Sequence, residues 1–143
     1  MSKKNYTEYK WEEDLGYAEC LIHYNGQVFE GTALCTDEDK PYQSRAIGEQ
    51  LASSRATRYY LAWVRDTEVL PQLKALNQLY YSMKHSGQFN SKSYEAKMLF
   101  RQIRQKELDL EAIRQAIKDL RQTESSVILG IERIKKYHNN KPE

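Results

Sequence analysis

The sequence predicts an α+β fold: a small antiparallel β-sheet covered by a helix, followed by a long antiparallel helical hairpin of coiled-coil character. Three observations carry that expectation. The first third alternates in hydropathy about an Asn25-Gly26 turn. The middle has helical spacing that changes near Thr67. The last third holds an apolar seam from Leu99 to Ile134 that no proline interrupts.

The strands come first. Tyr17 to Tyr24 places Ala18, Cys20, Ile22 and Tyr24 on one face, with Glu19, Leu21 and His23 on the other. Asn-Gly is the strongest short hairpin signal, because both central residues of a type I′ turn need positive φ. A two-residue turn there sets Tyr24 opposite Gln27 and Cys20 opposite Gly31. Gln27 to Cys35 is the returning strand, Tyr6 to Trp11 a third, and Asp37 to Pro41 an acidic turn. Cys35 then lies about four residues out of register with Cys20, too far for a cross-strand disulfide. Two free, half-buried thiols are expected.

The helices follow. One begins near Ser44 and runs to about Arg65, with Ile47, Leu51, Leu61 and Val64 as its apolar side. Without such cover a sheet of two or three strands is marginal in water. Thr67 is read as the N-cap of a second helix, with Pro71 in its first turn, where a missing N–H costs little. Val69, Leu73, Leu76, Tyr80 and Met83 follow at spacings of four and three residues, a coiled-coil seam. Ser86-Gly87 ends it, and Phe89-Asn90 falls in the connecting loop. Whether these two helices are one kinked rod or separate elements is open at this level.

The last helix has seam positions Leu99, Ile103, Lys106, Leu110, Ile113, Ile117, Leu120, Glu124, Val127, Ile131 and Ile134. A helix of about 45 residues spans about 65 Å, and residues 67–85 cover less than half of it. The remaining stripe needs the first helix, the sheet or another subunit. A homo-oligomer is therefore expected, with the polar seam positions Lys106 and Glu124 setting register. The organisation expected is one continuous domain, with sheet and covering helix over 1–66 and the hairpin and oligomerisation arm over 67–143.

Composition narrows the class. With 40% hydrophobic and 29% charged residues, the chain is too apolar for disorder. Its apolar runs are too short to span a bilayer. The polar start through Asp14 has no apolar signal segment, so a cytoplasmic location is expected. The net charge of +2 hides an asymmetry: residues 1–83 carry 9 Lys/Arg against 12 Asp/Glu, and residues 84–143 carry 13 against 8. The basic half suits an anion, or is simply a solvated helix face.

Catalytic patterns are missing. There is no nucleophile elbow, Walker A loop or Gly-rich dinucleotide turn, and His23, His85 and His138 are too scattered for a metal site. Glu12-Glu13-Asp14 and Asp37-Glu38-Asp39 read as solvated runs. No enzymatic activity and no cofactor are expected. Two features point instead to binding. Arg55 with Arg58, and Lys97 with Arg101 and Arg104, lie at helical spacing beside apolar seams, where guanidinium groups suit phosphates or serve as ordinary surface charge. Tyr80 leads, through the loop bearing Phe89 and Asn90, to the arginines of the last helix. A ring to stack a base, an amide for its edge and arginines for phosphates are what a nucleotide needs.

The stretch Phe29-Glu30-Gly31-Thr32-Ala33-Leu34-Cys35, then Asp39, then Gly48-Glu49-Gln50-Leu51-Ala52-Ser53-Ser54-Arg55-Ala56, reads as strand, acidic turn and helix. Followed by a long helical hairpin, it resembles the Thoeris anti-defence signal-sponge proteins of phages over most of residues 17–138. That resemblance implies a small oligomeric protein acting in the host cytoplasm without chemistry. It would sequester cyclic ADP-ribose isomers of bacterial immune signalling, or cyclic oligonucleotides. The family's pocket uses an arginine on the first helix, an aromatic and an asparagine flanking the hairpin loop, and arginines on the last helix. Here these fall on Arg55, Tyr80 and Asn90, with Phe89 beside it, and on Arg101, Arg104 and Arg114. The last-helix positions depart from a clean pair: Arg101 and Arg104 are three apart, and Arg114 stands further on. A similar Gly-Ala and Arg-Ala pattern occurs in double-stranded-RNA-binding-like domains. Two other readings therefore stand beside the sponge: a nucleic-acid-binding module using the basic half, and a structural coiled-coil partner.

Overall fold

A computed structural model describes residues 4–35, 44–87 and 90–139. Its elements are β1 (Tyr6–Glu12), β2 (Tyr17–Tyr24), β3 (Gln27–Leu34), α1 (Arg45–Val64), a π-helical turn (Arg65–Val69), α2 (Leu70–Lys84) and α3 (Tyr94–Asn139). This is the α+β class that the alternation and the seam predict. The expected turn at Asp37–Pro41 and the loop residue Phe89 lie outside the described residues.

The three strands form an antiparallel sheet in the order β1-β2-β3. Asn25 and Gly26 have φ of 52° and 81°, so the turn is the one their residue types favour. It fixes the register as expected, Tyr24 opposite Gln27 and Cys20 opposite Gly31. Both cysteines are free, Cys20 buried and Cys35 half-buried, and the Cys35 amide donates to the Gly16 carbonyl (2.9 Å). β1 runs one residue longer than expected, to Glu12 opposite Tyr17.

The chain packs as two compact units, residues 1–60 with 117–143, and residues 61–116. In the first unit the core is made of small side chains. Ala18, Cys20, Ala52 and Ala56 are completely buried, with Trp11 and Ile22 packed around them. The apolar pattern of the sequence puts Ile47, Leu51, Leu61 and Val64 on the inner side of α1. Of these only Leu51 is buried, and the face pressed on the sheet is Ala52 and Ala56. Gly31 explains the difference. A Cβ at Gly31 would fall on the Ala52 carbonyl oxygen and the Ala56 amide, so α1 lies directly on the backbone of β3. At Gly48, on the facing helix, a Cβ would sit 3.0 Å from the Trp11 ring and 3.1 Å from the Ala18 methyl. At the other end of this core Tyr60 makes edge-on contacts with Tyr24 (5.0 Å) and Phe29 (5.7 Å).

In the second unit the helix runs on through Thr67, so the two helical segments are one continuous rod there. Val64 and Leu70 both have right-handed helical φ and ψ, and the Leu70 amide donates to the Arg65 carbonyl, five residues back. Thr67 is not a cap: its hydroxyl donates to the Trp63 carbonyl within the helix. The cause is Pro71, which has no N–H for the Thr67 carbonyl and whose ring would collide with it in a regular helix. One wide π turn just before it relieves the collision and lets the helix continue. Along α2 the only half-buried positions are Leu73, Leu76, Tyr80 and Met83, the predicted seam, and none of its residues is fully buried. On α3 in this unit Leu99, Ile103 and Leu110 are buried, again on the seam. The seam continues in the first unit with Ile117 and Glu124 buried, and it opens to solvent at Ile134.

Among the described residues no helix is long and apolar enough to cross a membrane.

The Gly31 contact is testable. Gly31→Ala drives a methyl into helix backbone that has no rotamer to yield, so it should destabilise the protein by about 3 kcal/mol, at the upper end of overpacking costs. Chemical denaturation measures this. The same substitution at Gly87, where a Cβ meets open space but φ is +80°, should cost about 1 kcal/mol.

Candidate functional site

Arg55 and Arg58 stand one helical turn apart on α1, and both reach the same carboxylate, that of Glu124 on α3. Arg58 grips it with two bonds, Nε to Oε2 at 2.6 Å and Nη2 to Oε1 at 2.9 Å. The Ser54 hydroxyl donates to Oε2 at 3.0 Å, and Arg55 Nε lies 3.4 Å from Oε1. Glu124 is only 7% exposed and Ser54 only 6%. Burial acts to raise the Glu124 carboxyl pKa. The hydrogen bonds from Arg58 and Ser54, and the charges of Arg58 and Arg55, together outweigh it and hold the carboxyl below its ordinary value. The same bond raises the pKa of Arg58. In the sequence Glu124 reads as a polar break in an apolar seam that sets register. The structure gives that break its partners.

Arg55 also bonds to the sheet. Its Nη1 donates to the Thr32 carbonyl oxygen at 2.6 Å. Thr32 pairs with Glu19, five steps from the hydrogen-bonded Tyr24–Gln27 pair at the turn. By antiparallel alternation its carbonyl therefore points away from β2, to the open edge of the sheet. Arg55 thus covers an exposed edge group. It also borders a shallow groove shared with Glu30, Thr32 and Tyr59.

The other candidate residues belong to the second unit. Tyr80 on α2 is half-buried, and its ring lies 4.9 Å from that of Phe100 on α3 with a 55° tilt. Phe100 is 41% exposed. Arg101 follows it directly, and Arg104 lies one turn on from Phe100, so aromatic and guanidinium groups share one stretch of α3. Arg101 and Arg114 are exposed. Arg104 is also exposed, its Nη1 3.9 Å from Glu107, a separation that contributes little in water. Asn90 shapes the chain next to it, since its Oδ1 accepts the Lys92 amide (3.0 Å) and its carbonyl accepts the Ser93 amide (3.0 Å). Ser93 then caps α3, its hydroxyl accepting the Ala96 amide at 3.2 Å. So Tyr80, Asn90, Arg101, Arg104 and Arg114 lie in one unit and Arg55 in the other.

Two features of these clusters escape sequence reasoning. Phe100 sits one position off the seam at Leu99, so a heptad reading assigns it to the surface. Glu124 stands out in the seam, but nothing local joins it to Arg58, sixty-six residues away. Among the described residues no three His, Cys, Asp or Glu side chains gather as a metal site would require.

Compared with protein families, curated proteins and solved structures, the chain matches none. The family resemblance of the strand–helix segment therefore stands on its quoted residues alone.

The Glu124 cluster makes a pH prediction. A carboxyl with a depressed folded-state pKa stabilises fully above its unfolded value, about 4.3, and that stability is lost as pH falls through the folded-state value. Glu124→Gln leaves Arg58 without its counter-charge and should cost about 3–5 kcal/mol at neutral pH. Between about pH 5 and pH 3 the wild type should lose stability more steeply than the variant. Urea midpoints taken across that range give both slopes, and parallel slopes would show that Glu124 is not the titrating group.

Proposed function

We propose that this chain is a non-catalytic binding protein that sequesters a cyclic nucleotide signal, a cyclic ADP-ribose isomer or a cyclic oligonucleotide, and so blunts a bacterial anti-phage response from the host cytoplasm. The observation that carries the ligand class is the Tyr80–Phe100 ring pair with exposed Arg101 and Arg104 on the same stretch of α3. An accessible aromatic face suits a base. Two guanidinium groups three residues apart suit the phosphates joined to it. The anti-defence setting rests on the resemblance of residues 29–56 to the signal-sponge family. Homo-oligomerisation belongs to the same reading, because α2 leaves its predicted seam only half-covered within the chain.

The test is retention. Purified protein is incubated with cyclic ADP-ribose isomers and cyclic oligonucleotides, desalted and heat-denatured, and the released nucleotide is analysed by mass. Intact recovery is expected. Arg101→Ala with Arg104→Ala should weaken binding by roughly ten- to a hundredfold, the loss of one or two charge-assisted hydrogen bonds. Arg133→Ala, also on α3 but in the other unit, should change nothing. Altered nucleotide makes the protein an enzyme. No retention, together with salt-sensitive duplex binding, makes it a nucleic-acid-binding module.

A further inference from the structure

We propose that the first unit carries a self-association surface at the free edge of β1, where a second copy of this chain pairs its own β1 antiparallel about a two-fold axis at Tyr9. This surface lies on the sheet, and it is independent of the nucleotide reading and of the half-covered seam of α2.

The backbone decides which groups face that edge. Tyr24 and Gln27 close the type I′ turn as a hydrogen-bonded pair, so Tyr17, Glu19, Leu21 and His23 turn their amides and carbonyls toward β1. Glu12, Lys10, Glu8 and Tyr6 answer them across the ladder. By alternation Thr7, Tyr9 and Trp11 aim their own groups outward, and β1 is the end strand of the sheet. Thr7 and Tyr9 are exposed, and among the described residues none of these outward groups finds a partner. The opposite edge differs, since Arg55 already covers the Thr32 carbonyl there. An uncovered row of amides and carbonyls is a template for another strand.

The side chains select that strand. Tyr9 and Trp11 reach α1 at Ser53 and Gly48, so Glu8 and Lys10 stand on the other face of the sheet. An axis at Tyr9 sets each copy's Glu8 opposite the other's Lys10, with Thr7 opposite Trp11 on the inner face. Lys10 has no ion pair among the described residues, and Glu8 meets His23 at 2.9 Å. Sliding by two residues spoils the match. An axis at Glu8 sets Glu8 against Glu8, and an axis at Lys10 sets Lys10 against Lys10 and Glu8 against Glu12. Like charges directly opposite destabilise a strand pair, and single-residue slips turn the outward groups away from each other. The alternation of sign thus admits a second β1 in one register, and a two-fold pair of this kind closes at two copies.

Sedimentation of the full chain follows the association. Lys10→Glu sets carboxylates opposite each other twice in the dimer and should weaken it roughly tenfold. Adding Glu8→Lys swaps the two charges and should restore it. Thr7→Pro removes an outward amide without touching the bonds to β2, and should weaken the dimer as well. Disulfide trapping reads the register. Facing residues 8 and 10 have Cα atoms about 4.5 Å apart, within disulfide reach. A mixture of the Glu8→Cys and Lys10→Cys variants should therefore cross-link on mild oxidation, with peptide mapping to locate the bond. Either variant alone should cross-link far more slowly, because its new cysteines lie about 7 Å apart on the diagonal. A monomer at all concentrations, which leaves the edge to a strand of another protein, would overturn the proposal. So would a Lys10→Glu loss that Glu8→Lys does not restore, or equal cross-linking in the mixture and the single variants. Association through the α2 seam favours no cysteine combination, and nucleotide retention by the second unit is untouched by any of these outcomes.

Discussion

A carboxylate buried in an apolar seam cannot stand alone. Removing a charge from water costs several kcal/mol unless a partner meets it with good geometry, and Glu124 is met by Arg58 through two bonds, by Ser54 through one, and by Arg55 at longer range. This fixes more than a contact. Sliding the C-terminal part of α3 by one turn would set Leu120 or Ile128 against Arg58 and strand both charges. Apolar seam residues tolerate such a slip, since one aliphatic side chain replaces another, but the ion cluster does not. The register of α3 on α1 in the first unit is thus set by the one seam position that is not apolar.

The second constraint is steric. Gly31 admits α1 onto the backbone of β3, and Ala18, Ala33, Ala52 and Ala56 keep the gap narrow. A core of small side chains buries little area for each residue, so its stability comes from close backbone approach rather than from large aliphatic groups. The same closeness brings Arg55 within reach of the Thr32 carbonyl and the Glu124 carboxylate together. Trp11, Leu51 and Ile131 line a cavity in the same unit. In the second, the exposed Arg101 and Arg104 owe their position only to helical spacing from Phe100.

The hairpin and the heptads are legible because they depend on neighbours in sequence. Asn25-Gly26 reads as a type I′ turn on local sterics, and the pairing of Cys20 with Gly31 follows by counting. The seam on α2 and α3 follows from the periodicity of apolar residues, and burial tracks it position by position from Val69 to Val127. Thr67 misleads because its residue type and the nearby Pro71 match a helix start. A π turn satisfies the same proline without a break, and propensity alone does not distinguish the two. Arg55 and Arg58 are visible as a pair on one face, but the choice between a ligand phosphate and a distant glutamate lies outside any local rule.

The sequence by itself therefore determined the class of fold, the register of the β2–β3 hairpin and the seam stripe of α2 and α3, because these are set by backbone sterics and by periods of two and about three and a half residues. Tertiary structure alone decided that α1 rests on small residues, that the helix passes unbroken through residues 65–69, and that Arg58 closes on Glu124. Each of those depends on which groups the folded chain brings within a few ångströms of each other. For Arg58 and Glu124 that means partners sixty-six residues apart, a distance across which no spacing pattern carries information.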